Sequence, residues 1–439
     1  MQPVELRIDA AWIVPVEPAG ALTGHSLIVD GGRIVAVVPA AEADARYAAG
    51  ETLTLASHLL IPGLVNAHTH SAMSLMRGIA DDVPLKSWLE DHIWPREGRF
   101  VSADFVFDGT LLAAAEMLRG GVTCCNDMYF YPDAAARAYE VAGMRALIGA
   151  PVLDFPTPYA ADADAYLARG LAARDAFKHV PTLSFALAPH APYTVGDASW
   201  ERVVMFARQL DLPIETHVAE TRNEVDDAIA ATGITPLARL DRLGATGPTF
   251  IAIHAVHVDA ADIALLAAQG CHVVHCPASN MKLASGVAPI ARLLAAGVNV
   301  ALGTDGAASN NRLDIFSEMR LASLLAKVST GDASAIPAAT ALAMATIGGA
   351  RALGLDRTIG SLVPGKDADI VAVDLSGVAT QPVFDPVSHL INAADRSDVS
   401  DVWVRGVRMV EDGRLRTIDR AVLLDRTRAW QHRLAAPSR

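Results

Sequence analysis

Ile61-Pro62-Gly63-Leu64-Val65-Asn66-Ala67-His68-Thr69-His70 is a short apolar run that ends in two histidines one residue apart. A run bounded this sharply reads as a strand buried on both faces, and such strands belong to parallel sheets covered by helices. On an extended strand end, residues two apart leave the same face, so His68 and His70 can grip one ion together. The HxH spacing alone is a weak signal, because surface histidines produce it too. Its setting carries more weight: a polar pair at the end of a buried strand is costly without a partner.

Working outward, apolar runs alternate with Ala- and Leu-rich helical stretches: Leu60 to Val65, Gly121 to Cys125, Arg145 to Gly149, Leu183 to Ala188, Leu212 to Thr216, Phe250 to Ile253, Cys271 to Val274 and Val298 to Gly303. Eight strands alternating with helices predict an α/β fold, a (β/α)8 TIM barrel. In that fold the chemistry sits at the C-terminal ends of the strands. His68 and His70 follow the first run, His190 the fourth, His217 and Glu220 the fifth and Asp305 the eighth, while His254 closes the sixth. All are therefore expected at one mouth.

The two ends of the chain have a different texture. Val4 to Ile8, Ser26 to Val29 and Arg33 to Val38 read as strands, with Asp30-Gly31-Gly32 as a hairpin turn. Asp369 to Asp374 and Val402 to Val410 alternate in the same manner, with Arg405-Gly406 as a tight turn. Residues 1–58 and 362–439 are expected to form one small β-sandwich domain around a catalytic barrel of residues 59–361. Arg420 to Arg439 reads as a final helix with a frayed end. Ala-rich segments such as Ala338 to Ala345 are ordinary helix-formers.

Composition narrows the function. At 439 residues the chain exceeds the roughly 250–300 at which one core stops growing, which fits a large domain plus a small one. Acidic residues outnumber basic ones by 49 to 36 and no Lys/Arg-rich run occurs, which argues against nucleic acid or an anionic membrane surface as partner. A small substrate fits better. The four cysteines, Cys124, Cys125, Cys271 and Cys276, have no C-x-x-C spacing, so neither a disulfide framework nor a zinc ribbon is indicated. With no signal-type segment at Met1 to Ala11 and no run of about 18 apolar residues, a soluble protein of the reducing cytoplasm is expected. A homo-oligomer, dimer or tetramer, is also expected.

Three imidazoles and one carboxylate can close a shell around one divalent cation and leave a position for water, the chemistry of metal-assisted hydrolysis. Each residue also has a plainer reading. His217 can be a hydrogen-bonded core residue, Glu220 a helix N-terminal carboxylate and Asp305 a helix cap. His257 competes with His254 for the inward position, and His190 can serve to fix its own loop. His272 and His275 flank a strand and receive no role beyond local hydrogen bonds.

Taken together, Pro62 to His70, His217-Val218-Ala219-Glu220, His275-Cys276-Pro277-Ala278-Ser279-Asn280 and Gly303-Thr304-Asp305-Gly306 resemble the amidohydrolase superfamily. Within it they are similar to the branch containing 5'-methylthioadenosine/S-adenosylhomocysteine deaminases and triazine hydrolases. The likeness covers nearly the whole chain, including Gly360 to Asp369 near its close. Trp88, nine residues before Glu97, adds likeness to the deaminases in particular.

The resemblance implies that His68, His70, His217 and Asp305 hold one divalent metal per subunit, Zn2+ in most members. It implies Glu220 as proton shuttle and His254 and Asp305 as partners of the attacking water. Trp88, Glu97 and His190 would contact a nucleoside, with Glu220 and Asp305 also facing it. Binuclear members bring a carboxylated lysine from the fourth strand; Pro189-His190 stands here instead, which implies a single metal. Several members carry an arginine just after the third strand that suits the carboxylate of S-adenosylhomocysteine, whereas this chain reads Leu147-Ile148-Gly149-Ala150-Pro151-Val152. Lacking that bidentate partner, it is expected to favour 5'-methylthioadenosine. The competing expectations are a relative acting on guanine-like, triazine or other aminated heterocycles, and a non-catalytic relative, which would be expected to have lost ligands.

Overall fold

A computed structural model describes residues 1–435, so the last four positions of the expected frayed end, 436–439, lie outside the described residues. Eight parallel strands form the barrel: Leu64–Thr69, Val122–Met128, Arg145–Val152, Leu183–Pro189, Ile214–Val218, Phe250–His254, His272–His275 and Asn299–Leu302. Neighbours pair in parallel register in that order. The first and last strands are joined by side chains. Asn66 Nδ2 donates to Thr304 Oγ1 at 2.8 Å, Asn66 Oδ1 accepts the Thr304 N–H at 2.9 Å, and the Asp305 N–H reaches the His68 carbonyl at 3.0 Å.

The first strand differs from the sequence expectation. Leu60 to Pro62 belong to a long strand, Tyr47–Pro62, of the other sheet, and the barrel strand starts at Leu64. Gly63 separates them. A Cβ there would lie 2.0 Å from Thr123 Oγ1, so only glycine lets the chain pass from one sheet to the other at this point. Sequence pattern could not show the break, because both halves are equally apolar. The strands of the fifth and sixth runs also extend to include His217 and His254.

The outer sheet is mixed and continuous, in the order Arg414–Leu415, Val407–Glu411, Val399–Val404, Ile370–Asp374, Tyr47–Pro62, Gln2–Ile13, His25–Asp30, Arg33–Pro39. It folds over one core in which Ile8, Leu27 and Val29 meet Ile370 and Trp403, so its two ends face each other as a sandwich does. Both expected turns are present. Gly31 and Gly32 have φ of 55° and 74°, and Arg405 and Gly406 have 50° and 75°, the left-handed pairs that match strand twist in a two-residue hairpin. The long strand Tyr47–Pro62 and the helix Ala40–Arg46 before it had no expectation attached. Among the described residues, no helix is long and apolar enough to cross a membrane.

The two sheets are tied by a buried ion cluster. Arg145, at the start of the third barrel strand, is 3% exposed; its Nη2 lies 2.9 Å from Asp367 and its Nε 3.3 Å from Asp369. Arg145→Met would leave the buried Asp369 without its ion pair and Asp367 with only Arg405 at 3.4 Å and Arg33 at 3.9 Å, and removing one partner of a buried pair costs about 3–5 kcal/mol. A large fall in melting temperature is expected, and an unchanged value would show the cluster to be energetically neutral.

Glu215 is fully buried inside the barrel, where Gly149 leaves it room and Asn126 Nδ2 donates to its Oε2. Burial lifts it from 4.5 to about 8, so across that window the folded chain keeps a proton that the unfolded chain releases. Its contribution to stability is whole at acid pH and is lost as pH rises to about 8. Glu215→Gln should therefore weaken the decline in urea midpoint between about pH 5 and 8. Identical slopes in variant and wild type would contradict this.

Candidate active site

His68, His70, His217 and Asp305 come from strands one, five and eight and meet at the C-terminal mouth. His68 Nε2 lies 3.2 Å from His217 Nε2 and 3.5 Å from Asp305 Oδ1, and His70 Nε2 lies 3.2 Å from the same oxygen. The outer ring nitrogens show which way the lone pairs face. His70 Nδ1 sits 2.6 Å from the Met128 carbonyl and His217 Nδ1 2.7 Å from the His190 carbonyl, so each Nδ1 carries the proton and each Nε2 turns inward. His68 is wholly buried beside them.

Lone pairs packed this closely repel unless a positive charge lies among them. Burial pushes His68 down to about 4 despite Asp305, and burial with the neighbouring imidazoles holds His217 well below its ordinary value. Burial opposes charge on His70 as well, yet the Asp305 carboxylate outweighs it and lifts the ring to about 9. Asp305 is itself held far below the usual carboxylate range, since His68 and His70 overcome its desolvation. His68 and His217, held neutral by burial, and an ionised Asp305 fit a divalent cation, which would take the place of the proton that His70 holds against Asp305. His254 also brings a ring nitrogen within reach of His68 and His217, and its ring stacks on His217 at 5.5 Å between centroids.

Asp305 is not the N-cap of the following helix; Gly306 takes that position. It adopts φ of 61°, and its Oδ2 accepts hydrogen bonds from Ser279 at 2.6 Å and Ser309 at 2.9 Å, leaving Oδ1 for the histidines and the Gly306 N–H. Glu220 lies just before the cap residue Thr221, and its side chain turns to Ser285 Oγ at 3.2 Å and His254 Nε2 at 3.8 Å. Burial raises its pKa although His254 pulls the other way. Asn280 Oδ1, 2.9 Å from His254 Nδ1, settles the choice between His254 and His257. His257 instead contacts the Ser285 carbonyl at 2.6 Å.

His190 has a local hydrogen bond and also a place on the cavity wall. Its Nδ1 and Thr194 Oγ1 are 3.1 Å apart, which fixes its loop, while the residue also lines the cavity. That cavity, about 270 Å3, opens onto His70, His217, Glu220, His254 and Asp305 and is covered by the segment 85–100. A single π-helical turn, Trp88–Ile93, interrupts this segment and brings both Trp88 and Glu97 to the cavity wall. Tyr129 donates to Glu97 Oε1 at 2.6 Å. The remaining wall is mostly apolar, with Leu89, Phe130, Leu153 and Phe155 beside Thr157, Tyr193 and Ser309, and among the described residues no lysine or arginine lines it. His272 and His275 stay outside.

Sequence reasoning missed Ser279, Asn280, Ser309 and Tyr129. Ser279 and Asn280 stood in the quoted string His275 to Asn280, but nothing there indicated that one would meet Asp305 and the other His254. The fold creates that pairing.

Residues 59–409 match the Amidohydrolase family. The chain is 46% identical over 435 residues to a 5-methylthioadenosine/S-adenosylhomocysteine deaminase of Saccharophagus degradans, covering 99% of this chain and 98% of that one. It is 42% identical to a 5'-deoxyadenosine deaminase of Methanothermobacter thermautotrophicus, with 93% and 94% covered. A crystal structure of an adenosine deaminase from Xanthomonas campestris with bound zinc superposes with a TM-score of 0.97 at 50% identity, covering 99% of each chain. A zinc complex of atrazine chlorohydrolase from Arthrobacter aurescens superposes with a TM-score of 0.90 at 25% identity, covering 97% of this chain and 100% of that one. The chain belongs to the amidohydrolase family, on its branch of 5-methylthioadenosine/S-adenosylhomocysteine deaminases, and is a hydrolase that depends on a divalent metal.

Proposed function

We propose that this protein hydrolytically deaminates adenosine-type nucleosides, with 5'-methylthioadenosine as preferred substrate and Zn2+ as the metal. The observation that carries the reading is the convergence of three imidazoles, Asp305 and Glu220 at one end of a largely apolar cavity. His68, His70, His217 and Asp305 would hold the cation, whose Lewis acidity lowers the pKa of water from 15.7 to about 7. His254 accepts a proton from the attacking water at Nε2, because its Nδ1 proton is committed to Asn280. Asp305 orients the same water.

Attack at C6 breaks the aromaticity of the purine and requires a proton at N1. Glu220 supplies it, since its raised pKa keeps the acid form present closer to neutrality than an exposed glutamate would. The proton taken up by His254 passes to the amino group, which leaves as ammonia, while the C6 hydroxyl returns a proton to Glu220 and the inosine analogue remains. Trp88 lines the ring pocket, and Glu97, oriented by Tyr129, holds ribose hydroxyls together with His190. The apolar wall suits a methylthio group. A homocysteine tail would have to reach an adjoining cavity of about 970 Å3, where Lys86 and Arg222 stand. Four free, buried cysteines suit a reducing cytoplasm.

Zinc-loaded protein should shift the adenosine ultraviolet band of 5'-methylthioadenosine and release one ammonia per turnover, with a higher kcat/KM than for S-adenosylhomocysteine. Ammonia release from guanine or an aminotriazine, with none from any adenosine compound, would overturn the substrate class. Glu220→Gln should retain zinc yet lose about 10²- to 10⁴-fold in turnover, the range for general acid–base groups. Full activity in that variant would remove Glu220 from the mechanism.

A further inference from the structure

Thr221-Arg222-Asn223-Glu224 has the spacing of a capping box, in which a glutamate at the third helical position reaches back to the N–H of the cap residue. Thr221 performs its half, its Oγ1 accepting the Glu224 N–H at 3.3 Å. Glu224 does something else. Its Oε1 accepts the Ala219 N–H at 2.8 Å and its Oε2 the Glu220 N–H at 2.9 Å, two residues and one residue before the cap. Both oxygens are thus spent on the backbone that carries Glu220.

That backbone needs support. Ala219 sits at φ of 53°, a left-handed conformation that a residue with a side chain seldom holds unaided. The side-chain contacts of Glu220, 3.2 Å to Ser285 and 3.8 Å to His254, are longer than either clamp bond. Hydrogen bonds from two consecutive N–H groups to one carboxyl group orient a peptide more firmly than the single contact to Ser285 orients the Glu220 side chain. We infer that Glu224 is a positioning residue, which sets the direction of Glu220 by clamping the Ala219 and Glu220 amides. This rests on Glu220 acting as the proton carrier.

A double-mutant cycle tests it, with kcat, KM, zinc content and melting temperature measured on the full chain. Glu224→Gln should lower kcat about 10-fold and Glu224→Ala about 100-fold, as small misplacements of a catalytic group do, with KM and zinc content unchanged. In a Glu220→Gln background, adding Glu224→Gln should change kcat by less than about twofold, because residues acting as one unit are not additive. Thr221→Ala removes the cap contact to the Glu224 N–H but spares both side-chain bonds of the clamp; it should lower the melting temperature and reduce kcat far less than Glu224→Gln does. Normal kcat in Glu224→Gln alongside a crippled Glu220→Gln would overturn the inference and leave the function standing, as would fully multiplicative losses in the double variant. An active Glu220→Gln would sink the underlying reading instead. Should Glu224→Ala fail to fold, the isosteric Gln variant decides.

Discussion

Buried imidazoles and an ionised carboxylate, linked by contacts of 3.2 Å from His68 to His217, 3.5 Å from His68 to Asp305 and 3.2 Å from His70 to Asp305, impose the main constraint on this molecule. Such a cluster is unfavourable in a low-dielectric interior unless a cation binds, so the fold has to supply enough rigidity to keep it assembled. The barrel does this by bringing the first and eighth strands together. Asn66 and Thr304 exchange two hydrogen bonds one layer beneath the ligands, and Gly303 lets the eighth strand approach His68, where a Cβ would stand 2.9 Å away.

Backbone strain is concentrated at the same place. Ala219, His254, Ala255 and Asp305, which follow or close strands five, six and eight, all have positive φ between 46° and 71°. Residues with side chains occupy that region only where surrounding structure over-determines them. The neighbouring helices and turns provide that surround: Glu224 behind Glu220, Asn280 behind His254, and Ser279 with Ser309 behind Asp305. The segment 277–285 therefore touches three polar groups of the site at once, through Ser279, Asn280 and Ser285.

Much of this was legible before any coordinates. Eight apolar runs interrupted by helices allow few architectures, and the polar residues that end those runs are conspicuous because burial penalises them. His68, His70, His217, Glu220, His254 and Asp305 could be picked out on that ground. The end of the outer sheet at Pro62 could not, since Leu60 and Leu64 are equally apolar and only the space beside Thr123 distinguishes what lies on either side of Gly63. Residues that support the site escaped for a related reason: serines, an asparagine and a second glutamate are common in loops and caps, and their local pattern predicts local roles.

The order of apolar runs and the residue types at their ends were determined by the sequence alone, because strand periodicity and the cost of burying polar groups are properties of short segments. Which nitrogen faces the cavity, which carboxylate oxygen stays free and which glutamate holds another in place were decided only in the tertiary structure. Those choices join groups 4 positions apart, as at Glu220 and Glu224, and 237 apart, as at His68 and Asp305 (305 − 68), and a hydrogen bond takes its direction from both partners, which spacing along the chain does not fix.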